Sequence, residues 1–223
     1  MSSTRSSAKR NRQLQVVDAD APRRAPGILD PLAERILDAA YEQFCLVGIR
    51  RTSMDDIARR ANVGRVTIYR KFESQEKLVE ALLNRETLKA IAIVEAAVAR
   101  VEAAEERLVE GFVAGLRTIV RHPLILSLIT TEPERTLPMM TTGATRGLTM
   151  ARVSMAREIR RAHARVGVQG GCADQTAEIL ARLTHSLLLT PSSCLPLEDE
   201  EACREFARRH IVPMVMGTSA PRR

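Results

Sequence analysis

The chain has 223 residues, of which 45% are apolar, and its 34 Lys and Arg against 27 Asp and Glu give a formal net charge of +7. This apolar content suffices for the core of one large or two small domains, which excludes a disordered polymer. No apolar run approaches the roughly 20 residues that a membrane span requires. The first residues are basic and polar with no hydrophobic segment behind them, so we expect a cytoplasmic protein with no membrane partner.

The cysteine and histidine spacings do not match a metal site. The four cysteines, Cys45, Cys172, Cys194 and Cys203, have no CxxC spacing and no histidine at a metal-ligand interval. The sequence also contains no phosphate-binding glycine loop and no nucleophile elbow. We therefore expect buried or inert thiols, no metal, no cofactor and no enzymatic activity.

Residues 1–29 carry six Lys and Arg among Ser, Asp and Pro, with no sustained apolar period. This composition predicts a disordered arm. Two roles for it remain open, which are a supplementary contact with the minor groove or phosphates of a nucleic acid, and a solvated tail.

The first predicted helix begins at Asp30-Pro31, an N-cap followed by proline at the first helical position. Its apolar residues recur at intervals of three and four up to Val47, and Gly48 ends it. Ile36 and Phe44 are therefore core residues on which the following segment packs.

Residues 52–72, TSMDDIARRANVGRVTIYRKF, read as two short helices joined by a tight turn. Ser53 followed by Asp56 resembles a capping box and predicts a helix from about Met54. Asn62 stands where a left-handed residue ends that helix. In the second helix, Ile68 and Phe72 share one face and are expected to be buried. The remaining positions point outward and are Arg65, Val66, Thr67, Tyr69, Arg70 and Lys71.

The outward residues suit a nucleic acid, because cations and hydroxyls bind phosphates, Arg can fork onto guanine, and Val66 could touch a thymine methyl. A generic helical hairpin with a solvated basic face is the alternative. Five segments closely resemble the DNA-binding module of the TetR family of bacterial transcriptional regulators, namely Gly48-Ile49, Thr52-Ser53, Asp56-Ile57-Ala58, Asn62-Val63 and Thr67-Ile68-Tyr69-Arg70-Lys71-Phe72.

This resemblance implies that Arg65, Val66 and Thr67 face the major groove and that Tyr69 and Lys71 hold phosphates. It also implies DNA contacts by Thr52, Ser53 and Arg70. The sequence departs from the family pattern in three places: Gly64 replaces a capping Ser, Gln75 a common phosphate-contacting Lys, and Val66 a small residue. These departures affect the strength of the phosphate anchor and the preferred base steps.

The rest of the chain predicts only helices, so the fold class is all-α. A long helix follows the Ser74 cap and runs to about Arg100. Further segments follow at about 105–121, 124–129, 142–166, 173–189 and 200–216, with breaks at Thr131-Glu132-Pro133 and Leu137-Pro138. The expected organisation is an arm (1–29), a helix-turn-helix DNA-binding domain (30–75, motif at about 53–72), a larger helical regulatory and dimerisation domain (76–217) and a tail (218–223).

The resemblance implies a ligand pocket among the middle helices, whose candidate walls are Phe112, Leu116, Ile119, Met139, Met140, Met150 and Met155. Each of these residues could equally be plain core packing. Flexible thioethers, few aromatics and no charge cluster in that region favour a small apolar effector, such as a fatty acyl or polyketide-like compound.

The last two helices carry more apolar surface than one bundle face needs. The residues concerned are Ile179, Leu180, Leu183 and Leu187 on one helix, and Cys203, Phe206, Ile211 and Met214 on the other. Together with the resemblance, this predicts a homodimer through these helices, and a monomeric core is the alternative.

The preferred hypothesis is thus a ligand-responsive dimeric transcriptional regulator, most simply a repressor of a palindromic operator in double-stranded DNA. A regulator without a small-molecule inducer, and a helical small-molecule carrier or enzyme, are the alternatives.

Overall fold

The computed structural model describes residues 30–167, 172–190, 193–195 and 198–217, and within these ranges it contains helices and loops but no β-strand. The fold is all-α, as the sequence predicts. The proposed arm and tail lie outside the described residues. The helices in chain order are α1 (Pro31–Val47), α2 (Met54–Arg60), α3 (Arg65–Phe72), α4 (Gln75–Ala99), α5 (Ala104–Val120), α6 (Pro123–Thr131), α7 (Pro133–Met140), α8 (Thr145–Val166), α9 (Ala173–Leu189), α10 (Glu200–Phe206) and α11 (Val212–Met216).

Prolines account for two departures from the predicted elements. Pro138 lies inside α7 instead of breaking the segment. Proline has no N–H to donate to the carbonyl of Glu134, four residues earlier, and the helix tolerates this loss because Glu134 is exposed. The last predicted helix is interrupted by a π-helical turn, Ala207–Ile211, just before Pro213. The wider turn accommodates a residue that cannot donate to the helical ladder.

The caps that the sequence predicts are present. Asp30 accepts the N–H of Ala33 at 2.8 Å. Ser53 and Asp56 form a reciprocal capping box, with bonds of 3.0 and 3.1 Å between side chains and backbone N–H groups. Asn62 is left-handed with φ 51°. The angle between α2 and α3 is thus set locally, by satisfied helix ends and a left-handed stop.

The N-terminal core is built by α1, α2, α3, the first turns of α4, and α6. Its largest buried side chains include Phe44, Ile57 and Ile68, and Leu124 and Leu128 of α6 complete it. A second core lies between α5, α8, α9 and the C-terminal helices. The 25 residues of α4 span about 38 Å, so α4 starts in the first core and ends beside the second.

We predict that Phe44→Ala lowers the free energy of unfolding by about 3–5 kcal/mol, because the ring is completely buried. Leu46→Ala on the same helix is the matched control, since Leu46 is 67% exposed, and it should change stability by less than about 0.5 kcal/mol. Urea denaturation followed by circular dichroism measures both. Equal losses in the two variants would contradict this core assignment.

Candidate nucleic-acid interface and central cavity

The outer face of α3 is exposed as predicted. Val66 is 80% and Tyr69 39% exposed, and Arg65, Arg70 and Lys71 are also exposed. Thr67 is half-buried, whereas Ile68 and Phe72 face the core. Gly64 begins the helix with no side-chain cap. Cationic, hydroxyl and small apolar groups thus share one accessible ridge, the combination that reads base edges and phosphates.

Two cations of this ridge are held by carboxylates of neighbouring helices. Arg65 lies 2.8 Å from Asp55 of α2, and its guanidinium stacks over the Tyr69 ring at 5.6 Å from the centroid. Lys71 pairs with Asp30 at the start of α1, and this hydrogen bond lowers the pKa of Asp30. The two side chains are therefore oriented before any ligand binds.

Thr52 and Ser53 are placed differently from the expectation of direct DNA contact. Thr52 is only 4% exposed, and its hydroxyl donates to the Gly48 carbonyl at 2.7 Å. The Thr52 hydroxyl thus stabilises the turn, and DNA contact by Thr52 stays a prediction. Ser53 is exposed but serves the capping box.

Gln75 stands where the family often has a phosphate-binding lysine, and its amide has a structural role. Its Nε2 donates to the carbonyl oxygens of Ile49 and Thr52. Its Oε1 accepts from Arg135 of α7 at 3.4 Å. The first residue of α4 thus joins residues 48–53, which we call the 48–53 turn, to α7.

Glu132, at the junction of α6 and α7, holds the same turn from the other side. The backbone N–H of Arg50 donates to both carboxylate oxygens of Glu132, at 2.9 Å and 3.1 Å. Glu132 is only 6% exposed. Gly48 has φ 84°, and a Cβ there would collide with the Glu132 carboxylate. Both features require glycine at this position. Sequence reasoning missed Glu132, because 82 residues separate it from Arg50 and nothing local marks the pair.

A cavity of about 740 Å³ runs along α4 and is bounded by α5, α7, α8 and α9. Five of the predicted wall residues line it, namely Phe112, Ile119, Met139, Met140 and Met155. Leu116 does not, because it is packed inside the second core, and half-buried Met150 is also absent from the wall. A volume of this size can hold a drug-sized organic molecule.

The cavity is less uniformly apolar than the sequence suggests. Glu86 lies on its wall and pairs with Arg85 at 2.9 Å and Lys89 at 3.2 Å. His122 Nε2 lies 3.5 Å from the same carboxylate. Although burial alone raises the pKa of Glu86, hydrogen bonds from His122 and Lys89 and the charge of Arg85 bring it down to about 2. The expectation of no charge cluster in this region is therefore wrong, because α4 turns Glu86 inward.

The described residues contain no group of His, Cys, Asp and Glu that could hold a metal ion. In the same ranges no single helix is long and apolar enough to cross a membrane, and only α5 and α6 taken together, with a 45° bend between them, meet the length and hydropathy criteria.

The exposed basic helix α3 follows a capped helix and a tight turn, and a larger helical domain comes after it. This arrangement defines a helix-turn-helix protein. Residues 36–82 match the family model described as "Bacterial regulatory proteins, tetR family". This N-terminal part of the chain is therefore similar to the TetR family.

Three curated relatives give the range of similarity. The uncharacterized HTH-type transcriptional regulator YvkB of Bacillus subtilis is 46% identical over 25% of this chain and 29% of its own. Rv1255c of Mycobacterium tuberculosis, also an uncharacterized HTH-type regulator, is 34% identical over 44% and 49%. The HTH-type transcriptional regulator AlkX of M. tuberculosis is 27% identical over 79% and 82%. The first two matches thus span less than a third and about half of the relatives' lengths.

Two solved structures have a similar fold over most of this chain. The repressor AlkX from Dietzia sp., implicated in biodegradation of n-alkanes, has a TM-score of 0.63 at 23% identity, with 87% of this chain and 97% of that chain covered. GusR of Salmonella enterica has a TM-score of 0.60 at 22% identity, with 85% and 98% covered.

We predict that Glu132→Ala weakens the 48–53 turn. The free energy of unfolding should fall by about 1.5–3 kcal/mol, because a charged acceptor of a buried hydrogen bond is lost, and amide exchange at Arg50 should speed up. Glu134→Ala, two residues further along at an exposed site in α7, should leave both unchanged. Unaltered exchange at Arg50 in Glu132→Ala would show that the carboxylate does not hold the turn.

Proposed function

We propose that the chain is a sequence-specific transcriptional regulator, most simply a repressor, which acts in the cytoplasm, binds a palindromic operator as a homodimer and leaves it when a small apolar ligand binds. The observation that carries this proposal is the exposed ridge of α3. Arg65 and Lys71 lie on that ridge in defined orientations, beside Val66, Thr67 and Tyr69.

In this proposal α3 enters the major groove. Arg65, Val66 and Thr67 lie in its first turn, where recognition helices contact base edges. Tyr69 and Lys71 follow one turn later and suit phosphates on the groove edge. Arg70 in the last turn and Ser53 beside the N-terminus of α2 are further candidates for backbone contact.

For two copies of α3 to enter successive major grooves, a dimer through α9 and the C-terminal helices must hold them about 34–36 Å apart, or at a multiple of this spacing. Four of the eight residues expected at that interface, Leu180, Leu187, Cys203 and Ile211, instead pack inside the protomer. Ile179 is 56% and Met214 38% exposed, and Leu183 and Phe206 are half-buried. These four remain as the candidate interface.

The cavity supports control by a ligand, because its walls include the helices that hold the 48–53 turn. Arg135 and Met139 of α7 line the cavity, and the same short helix begins directly after Glu132. A ligand that shifts α7 or α4 would move the turn and, with it, α3. The names of two relatives, AlkX, and the n-alkane degradation in which one of them is implicated, favour an aliphatic ligand.

The decisive experiment is DNA binding by the full chain. Selection from random duplexes should yield an inverted repeat bound by two protomers. Tyr69→Ala with Lys71→Ala should weaken binding to all sequences and flatten the salt dependence, because a phosphate contact is lost. Arg65→Ala should cost about 1–3 kcal/mol and relax preference at one or two base pairs.

Arg100→Ala is the matched control for these substitutions, since this exposed arginine follows the last turn of α4 and lies outside both the proposed DNA-binding ridge and the candidate dimer interface. Its DNA affinity should equal that of the wild type. If the α3 variants also bind like the wild type, the proposed groove contacts are wrong. If no duplex is bound at low salt, the carrier hypothesis takes precedence.

Release by a ligand is tested with Ala151→Phe, which places a ring in the cavity wall of α8. We expect this variant to keep operator affinity but to stay bound when linear aliphatic alcohols, acids or esters release the wild type. Val153→Phe, two residues along the same helix at an exposed site, should respond like the wild type. A mobility-shift assay with each compound provides the measurement.

A further inference from the structure

Asp55, in the first turn of α2, has a carboxylate that the helix cap does not use. Its neighbour Asp56 completes the capping box with Ser53 and pairs with Arg59. Asp55 instead reaches across to α3, where its Oδ2 accepts from Arg65 Nη1 at 2.8 Å. Its Oδ1 is buried and has no hydrogen-bond partner among the described residues. One carboxylate oxygen is thus packed against the protein, and the other points at the first residue of α3.

Arg65 is restrained from a second direction by an aromatic ring. The centre of its guanidinium lies 5.6 Å from the centroid of Tyr69, one turn further along α3. The face of such a ring attracts a cation. A long side chain that is 70% exposed would otherwise sample many rotamers in solvent. The carboxylate and the ring together therefore favour one arrangement of this arginine before DNA is present.

The donors of Arg65 that remain available suit guanine. The contact with Asp55 uses Nη1, and within the part of the chain that the structure describes, Nε and Nη2 have no protein acceptor. A planar guanidinium holds such N–H groups in a rigid fork. Guanine presents two acceptors, N7 and O6, to this fork in the major groove, whereas adenine presents one acceptor and one donor. A restrained Arg65 can therefore distinguish the two purines.

We propose that Asp55 is a positioning residue for sequence recognition, which holds Arg65 so that α3 reads a guanine in each half of the operator. The same contact disfavours binding of Arg65 to phosphates, which carry no sequence information. Asp55 acts through Arg65 and does not itself touch the DNA. The inference rests on the DNA-binding function proposed above, and it names the base that the first turn of α3 prefers.

A purely structural role for Asp55 predicts a different result. A carboxylate in the first turn of a helix also interacts favourably with the positive end of the helix dipole. Loss of that role would weaken α2 and lower the affinity for every duplex alike. Loss of a positioning role changes the ratio of affinities for two duplexes that differ at one base pair.

Asp56 supplies the matched control. Asp56→Ala removes the same charge from the same turn and also breaks the capping box. Among the described residues, the side-chain partners of Asp56 are Ser53 and Arg59, and neither belongs to α3. This control therefore reproduces the charge change and the loss of helix stability without touching Arg65.

The first test measures guanine preference with the full chain. Selection from random duplexes with the wild type and with Arg65→Ala identifies the base pair whose preference depends on Arg65, and we expect it to be G·C. Fluorescence anisotropy then compares the operator with a duplex that has A·T at that pair. The wild type should bind the G·C duplex about tenfold more tightly, as one bidentate contact implies.

Asp55→Ala should lower this ratio about three- to fivefold, which is the size expected for an exposed ion pair. Its affinity for the A·T duplex should stay equal or rise, because Arg65 is released to bind phosphates. Asp56→Ala should keep the wild-type ratio even if both affinities fall. In the Arg65→Ala background, Asp55→Ala should leave the ratio unchanged, because no side chain remains to be positioned. An unchanged ratio in Asp55→Ala, or an equal loss in Asp56→Ala, would overturn the proposal.

The second test detects the positioning contact without DNA. The chain has two tyrosines and no tryptophan, so labelling with meta-fluorotyrosine gives one fluorine NMR signal for Tyr69 and one for Tyr41, which serves as the internal reference. Asp55→Ala and Arg65→Ala should both shift the Tyr69 signal, because the guanidinium leaves the ring. Asp56→Ala should leave that signal in place. An unmoved Tyr69 signal in Asp55→Ala would show that Asp55 does not hold Arg65.

These measurements separate the inference from the regulator function. Wild-type protein that binds its selected operator without a guanine at the Arg65-dependent pair, or that keeps its guanine preference without Asp55, refutes the positioning role alone. Wild-type protein that binds no duplex refutes the regulator function, and the positioning role falls with it.

Discussion

The orientation of the helix-turn-helix depends on how the 48–53 turn is held. Its backbone groups have partners on three sides: the Thr52 hydroxyl from within, the Gln75 amide from α4 and the Glu132 carboxylate from the α6–α7 junction. A buried carboxylate is stable only when hydrogen bonds satisfy it, so Glu132 and the turn keep each other in place. Contacts from α4 and from the α6–α7 junction thus help to fix the position of α2 and α3.

This shared support would let the cavity along α4 affect the proposed DNA-binding surface. Arg135 contacts the cavity and also Gln75, while Glu132 lies one residue before α7 begins. Packed elements of this kind tend to switch between discrete arrangements and do not deform continuously. A small displacement of α7 therefore has two hydrogen-bonded routes to the 48–53 turn, one through each of these side chains.

Features encoded within a few residues could be predicted from the sequence, and features that join distant segments could not. The Ser53–Asp56 capping box, the left-handed Asn62 and the inward Ile68 and Phe72 follow from local chemistry. Glu132 contacts Arg50 across 82 residues. Leu116 and Met150 are expected to line the cavity but do not. Helical spacing shows which residues share a face of a helix, but it does not show which neighbour that face contacts. The inward turn of Glu86 depends in the same way on Arg85 and on His122, which lies in a different segment of the chain.

The ion pairs of Arg65 with Asp55 and of Lys71 with Asp30 bear on how such a protein would search a chromosome. A phosphate that binds either cation would compete with the carboxylate already paired with it, which reduces the electrostatic gain from the contact without abolishing it. In such a regulator, binding to non-specific DNA would be weakened more than binding to an operator that also supplies base contacts. Competition between these carboxylates and DNA phosphates would shorten the time that the protein spends on non-specific DNA. Sequence preference would then depend mainly on the contacts with base edges.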